Sequence, residues 1–335
     1  MRVLHAPIEI SGQASLSVRG LRACGVEADL FAAPHSFGYE PPDIVRPTSR
    51  PAYLRAALGA LRSYDVYHFG FGSSFSPRSL RLVDARALRW AKRRVVVEFH
   101  GSDVRMPSLE AHRNPYYVRH EGEEDLGAET TMRRWSAVTG GHAITCDHHL
   151  DLFVGRHFEH IHHVAHRVDT HRLTPHPPRA QVGVPVVAHA PSHLAVKGTA
   201  HLRRALEELH AQGAAFEYVE LRGKSHAEML REMERADLVV DQLCAGAHGA
   251  ISVEAMSLAK PVICYMLPEY AAGMPADCPI IDADPVTIRA VLARWLADGA
   301  MRRDRGLASR AYAERHHDIR VVARRLIDVY ESLPS

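Results

Sequence analysis

Apolar and polar positions along the chain alternate between two periods. Residues 2–6, 26–31, 66–69 and 94–99 are short apolar or β-branched runs, the pattern of buried strands. Residues 15–23, 53–62 and 77–91 carry apolar side chains at helical spacing, and Gly25 stands where the first of these helices should stop. Residues 35–51 are rich in proline and polar side chains and are expected to form a long loop. Helices are predicted over 126–136 and 150–155, strands over 143–146 and 160–165, and a polar surface loop over 114–124.

The second half repeats the alternation more cleanly. Strands are predicted over 185–190, 216–221, 238–241, 261–265 and 279–282, and helices over 199–212, 225–234, 251–258 and 285–297. Residues 301–315 and 319–331 form a helical tail. Pro175, Pro177, Pro178 and Pro185 crowd the segment between the halves, which is read as a linker. Strands alternating with helices predict an α/β fold of βαβ units with parallel sheets. Two such halves imply a cleft, with ligands at the carboxyl ends of the strands.

Composition narrows the function. A chain of 335 residues, 46 % hydrophobic and 24 % charged, can build two cored domains, which excludes a disordered, collagen-like or small disulfide-rich protein. Basic and acidic residues number 41 and 39, so no electrostatic footprint for nucleic acid exists at the level of the whole chain. The cysteines, Cys24, Cys146, Cys244, Cys264 and Cys278, are odd in number and form no CxxC pair, which points to a reduced, cytoplasmic compartment. Neither a signal peptide nor a membrane-spanning run is apparent.

Four strand-to-helix junctions carry candidate chemistry. Gly12, in Ser11-Gly12-Gln13, allows a tight turn and close approach of a phosphate or sugar, or is an ordinary turn; the absence of GxGxxG argues against a nicotinamide dehydrogenase. His100, in Phe99-His100-Gly101-Ser102-Asp103, stands at a strand's carboxyl end as a functional donor, or the motif is structural, with Asp103 capping the segment that follows. Lys197, in Lys197-Gly198-Thr199 after His189-Ala190-Pro191, places a cation beside a helix start, suited to phosphate or to bulk solvent. Asp241, Gly246, Gly249 and Glu254 form the fourth junction. The amides near Gly249, Ala250 and Ile251 can receive a diphosphate, and Glu254 can accept hydrogen bonds from two vicinal hydroxyls or simply favour the helix N-terminus.

Two clusters read more blandly. His142, Cys146, His148, His149, His157, His160, His162, His163 and His166 match no compact zinc spacing, so no metal is expected and a histidine-rich surface is the plainer reading. Arg89, Lys92, Arg93 and Arg94 are read as solvated surface first and as a patch for anionic lipid second.

HAPSHLAVKGT and ADLVVDQLCAGAHGAISVEAMSLAKPVICY, with FHGSDVR and the early glycine turn ahead of them, resemble a bacterial subgroup of the retaining glycosyltransferase family 4. The resemblance is strongest over residues 187–281. It implies the GT-B architecture, two Rossmann-like domains with parallel sheets facing across a cleft. These would be an acceptor domain over 1–170, a nucleotide-sugar donor domain over 183–318, and a last segment, 319–335, crossing back to the first domain. It implies Glu254 on the nucleotide ribose, Lys197 and the helix start at Gly249, Ala250 and Ile251 on the donor diphosphate, His100 on the donor sugar, and Gly12 in a loop beside phosphate or acceptor. The implied reaction moves a sugar from a nucleoside diphosphate sugar to an acceptor hydroxyl with retention and without cofactor. The acceptor would be a small molecule, a glycan or a lipid-linked molecule, and the protein cytoplasmic or peripheral at the inner membrane face. The glutamate that the family carries eight residues before Glu254 is Gly246 here, and the arginine five residues before the phosphate lysine is Ser192. Those departures motivate a rival reading, a GT-B module that binds sugar nucleotide or a protein partner without transfer. A nucleotide-sugar 2-epimerase is the enzyme alternative, though no acidic set for proton abstraction can be placed.

Overall fold

A computed structural model of the chain describes residues 1–34, 37–180 and 183–334. The predicted 35–51 loop and the proline-rich linker therefore each include two positions outside the described residues. The chain divides into two compact units. One comprises residues 1–107, 121–167 and 319–335, and the other residues 108–120 and 168–318.

The first unit is built on a seven-stranded sheet: β1 (Arg2–Ala6), β2 (Glu27–Ala32), β3 (Ile44–Val45), β4 (Val66–Gly70), β5 (Arg94–Phe99), β6 (His142–Thr145) and β7 (His160–His163). Its order is β3-β2-β1-β4-β5-β6-β7, and every pairing is parallel. Strands buried on both faces need unbroken apolar runs, and Val95, Val96 and Val97 of β5 are each at most 1 % exposed. The helix Ile319–Ser332 belongs to this unit. Its Val322, Ala323, Leu326 and Tyr330 enter one core with Val18 and Leu21 of the helix Gln13–Ala23 and with Val3, Val66 and Val96 of the sheet.

The second unit carries five parallel strands: β8 (Val186–His189), β9 (Glu217–Glu220), β10 (Leu238–Val240), β11 (Val262–Cys264) and β12 (Ile281–Asp282). Their order is β12-β11-β10-β8-β9. One apolar layer, with Leu202, Leu206, Leu292 and Trp295, covers one set of strand side chains; another, with Val253, Met256 and Tyr312, covers a second set. Both units are thus Rossmann-like.

Local differences from the sequence expectations have physical causes. The helix expected over 77–91 splits into a 3₁₀ turn, Arg78–Leu80, and the helix Val83–Trp90. Arg81 and Leu82 between them have positive φ, which no α-helix tolerates. The expected loop 35–51 contains β3, too short for a periodic signal. The helix Pro107–Arg113 precedes the polar 114–124 segment, and a short helix, Pro268–Gly273, was not expected. The strand expected over 279–282 is paired only at Ile281–Asp282.

Candidate functional site

Strand order in the second unit reverses between β8 and β10, and the loops leaving those strands' carboxyl ends diverge to opposite sides. Such a switch point opens a ligand crevice. Lys197 lies in the loop after β8 and Asp241 follows β10 directly. The Lys197 Nζ donates to Asp241 Oδ1 at 2.6 Å. The other carboxylate oxygen accepts from the Gly249 amide at 3.0 Å and from Ser252 Oγ at 2.7 Å. Asp241 is 1 % exposed. Burial alone would raise its carboxyl; Lys197, Ser252 and the Gly249 amide together hold it below the ordinary aspartate value.

Asp241 thus fixes two cationic elements at one point: the ammonium of Lys197 and the amino end of the helix Ala250–Ser257. A Cβ on Gly249 would lie 3.7 Å from Lys197 Nζ. Ala250 and Ile251 open the helix, where amides have no intrahelical acceptor and the dipole favours an anion. His189, at the end of β8, is structural: it is fully buried, with its ring nitrogens 2.8 Å from the Val240 carbonyl and 2.9 Å from Thr199 Oγ1.

Glu254 sits in the same helix and is 6 % exposed. Its Oε1 is 2.6 Å from His226 Nε2, whereas Oε2 is buried with no partner in the structure. A buried carboxylate oxygen without a donor is costly, and a ligand hydroxyl would relieve it. Sequence reasoning missed His226. It opens the helix His226–Glu234 behind the Ser225–Glu228 capping box, and the junction after β9 was the one signal available.

The position of the absent glutamate has a steric explanation. Gly246 has φ +78°, and a Cβ there would lie 2.6 Å from Leu267 Cγ and 3.4 Å from Asn114 Nδ2. No side chain fits this loop conformation. Asn114, from the 108–120 segment, donates to the Cys244 carbonyl at 2.9 Å and closes the loop from above.

In the first unit, His100 follows β5, and its amide and that of Gly101 donate to Asp103 Oδ1 at 3.0 and 2.9 Å. Asp103 therefore caps the amides that precede it, where the sequence had pointed to the segment that follows. Burial pushes its carboxyl up to about 6, against those amides. Gly12 is the N-cap of the helix Gln13–Ala23 with φ +73°, and a Cβ there would meet the Tyr39 ring at 2.9 Å. The amides just beyond it are already engaged: Ala14 and Ser15 donate to the Glu9 carboxylate at 3.2 and 2.8 Å.

Beneath His100 lies a buried polar chain that no sequence motif announced. Glu98 pairs with Arg167, and both are nearly inaccessible. His68 Nε2 is 3.1 Å from Glu98 Oε2, and the Tyr330 hydroxyl lies 2.7 Å from His68 Nδ1 and 3.1 Å from His5 Nε2. Gln13 Oε1 accepts from the Arg167 amide at 2.9 Å. Burial would raise the Glu98 carboxyl, but Arg167, His100 and His68 hold it well below the usual range.

The structure therefore gathers Lys197, Gly249, Ala250, Ile251 and Glu254 on one helix start and its flanking loops in the second unit. It places His100 and Gly12 at the ends of β5 and β1 in the first unit.

Two Rossmann-like units of this topology constitute the GT-B fold. Solved structures share it along their whole length. Sucrose-phosphate synthase from Thermosynechococcus elongatus matches with TM-score 0.66 and 12 % identity, covering 99 % of this chain and 98 % of that one. Anabaena HepE in complex with UDP-glucose matches with TM-score 0.64 and 14 % identity, covering 99 % of each chain. A glycosyltransferase from Rickettsia africae matches with TM-score 0.61 and 12 % identity, covering 98 % and 97 %. No protein-family model matches the chain, and no curated protein matches it in sequence. Among the described residues, no helix is long and apolar enough to cross a membrane.

Proposed function

We propose that the protein is a retaining glycosyltransferase that moves a sugar from a nucleoside diphosphate sugar to an acceptor hydroxyl. One observation carries this reading. At the switch point of the second sheet, a lysine ammonium and a helix N-terminus stand at one point, with a buried, unpartnered carboxylate oxygen of Glu254 on the same helix. That set suits a diphosphate and a ribose. The similar HepE structure was solved with UDP-glucose, which supports a nucleotide-sugar donor.

In this mechanism Lys197 and the amides at Ala250 and Ile251 stabilise the negative charge that builds on the departing diphosphate. Asp241 is a positioning residue, holding the ammonium and the helix start in register before the ligand arrives. Glu254, with Oε1 taken by His226, offers Oε2 to the ribose hydroxyls. The acceptor attacks from the face of the leaving group, assisted by a donor phosphate oxygen, so no enzymic nucleophile is required. For His100 and Gly12 the proposal rests on the sequence resemblance, with His100 orienting the donor sugar. Loss of transfer in His100→Ala with unchanged nucleotide affinity is the expected outcome, and unchanged transfer removes the assignment.

We further propose a cytoplasmic protein with peripheral contact to anionic lipid. Trp90 is 90 % exposed and Lys92 is exposed beside it, an aromatic–cation pair suited to a headgroup region. A blue shift of Trp90 fluorescence on vesicles containing phosphatidylglycerol, absent in Trp90→Ala, is expected. The function as a whole is tested by a screen of nucleoside diphosphate sugars that measures released nucleoside diphosphate and the mass of the product. The rival, a binding module without transfer, would show nucleotide affinity and no turnover on any acceptor class.

A further inference from the structure

Pairing of β6 with β7 brings together histidines that the sequence scatters. The turn after β6 supplies His148 and Asp151, and β7, the edge strand of the sheet, supplies His163. His148 Nδ1 is 3.0 Å from Asp151 Oδ2, and His163 Nε2 is 2.8 Å from Asp151 Oδ1. The two imidazole centroids are 3.7 Å apart. We infer that His148, Asp151 and His163 form a binding site for one divalent transition-metal ion of zinc-like chemistry, bound through two imidazole nitrogens and one carboxylate oxygen.

The donor set is right for such an ion. Zinc takes imidazole and carboxylate ligands at about 2.0–2.1 Å, which places neighbouring ligand atoms about 3.3 Å apart. All three ligand atoms lie within 4.8 Å of one another, so side-chain shifts of at most about 1.5 Å bring them to that spacing. Side-chain exposures of 46 %, 36 % and 29 % leave the ion a path and leave room for water at the remaining coordination positions.

Two neighbouring clusters are less apt. In Cys146, Asp147 and His166, the Asp147 carboxylate already accepts from the His149 amide at 2.7 Å and from the Cys146 thiol at 3.4 Å. His142 Nδ1 and His162 Nε2 are 3.0 Å apart with His160 adjacent, but no carboxylate joins them. An ion at His148, Asp151 and His163 would clip the edge strand to the turn that follows its neighbour. It would act on the stability of the first unit and take no part in transfer. No compact zinc spacing along the chain announces this site, which exists only through strand pairing.

The test uses untagged full-length protein stripped with chelator, titrated with zinc chloride by calorimetry at pH 7.5, with thermal melts in parallel. One equivalent is expected to bind and to raise the melting temperature. His163→Gln and His148→Ala should each weaken binding by about tenfold or more, since even outer partners of metal ligands cost that much. His142→Ala combined with His162→Ala should leave it unchanged. Circular dichroism confirms folding, and Asp151→Asn supplies a second variant if either histidine change unfolds the unit. No binding to folded wild type, binding unaffected in all three site variants, or binding lost only with His142 and His162 would each overturn the assignment.

Discussion

Glu254→Gln isolates a buried carboxylate oxygen, Oε2, that has no donor in the structure. The substitution keeps the side chain's length and keeps an oxygen for His226, now 2.6 Å from Oε1. It removes the charge and replaces one acceptor with a donor. Hydrogen bonds to a charged group contribute about 1.5–3 kcal/mol net each. A ribose bound through Oε2 should therefore lose about 2 kcal/mol, close to a 30-fold weaker Kd for the nucleoside diphosphate. Calorimetry across uridine, guanosine and adenosine diphosphates measures this directly, with melting curves to show that the fold survives. A 2′-deoxy nucleotide sharpens the result: wild type should lose affinity for it, whereas the variant should lose little more. Equal affinity of wild type and variant for every ribonucleotide would refute ribose recognition by Glu254.

Other perturbations follow from the same geometry. Lys197→Ala should weaken nucleoside diphosphate binding far more than nucleoside binding at constant ionic strength; equal losses would indicate damage to the Asp241 anchor instead. Gly246→Ala, which places a Cβ 2.6 Å from Leu267 at φ +78°, should destabilise the protein by about 1–3 kcal/mol in denaturant melts. Arg167→Met leaves the Glu98 carboxylate buried without its guanidinium, and should cost about 3–5 kcal/mol. Acid should weaken the fold in two stages. Burial lowers the native pKa values of His5 and His68, so the unfolded chain takes those protons first and stability falls as pH drops below about 6.5. The depressed Glu98 carboxyl contributes fully above about pH 4.3, and that contribution is lost as pH falls through its native pKa; Glu98→Gln should flatten this second stage.

The sequence exposes what is local and hides what is assembled. Strands β1, β4 and β5 are legible because doubly buried strands must be continuous apolar runs. The two junction motifs of the second unit are legible because each places glycine, lysine or glutamate between a strand and a helix. The structure adds the reason they work together: Asp241 joins Lys197 to the Gly249 amide across 44 and 8 residues of chain. No local signal marks that partnership, and none marks His226 behind Glu254. The helix Pro107–Arg113 and Asn114 were equally hidden, because a polar stretch inside the first half gives no sign that it associates with the second unit. The chain formed by His5, His68, Glu98, Arg167 and Tyr330 draws on three strands, a loop and the last helix. Its members look like scattered polar residues until the sheet aligns them. Gly246 is the opposite case: its departure from the family pattern was plain in the sequence, and only the contact with Leu267 explains it.

The central claim, retaining transfer from a nucleotide sugar, is tested most directly by the anomeric configuration of the product. The donor identified by release of nucleoside diphosphate is supplied with its acceptor, and the product is examined by proton nuclear magnetic resonance before it can mutarotate. We expect the glycosidic bond to carry the anomeric configuration of the donor, with transfer abolished or strongly reduced in Lys197→Ala. An inverted anomer would contradict the proposed attack from the leaving-group face. Nucleotide binding without release from any donor would contradict transferase activity itself.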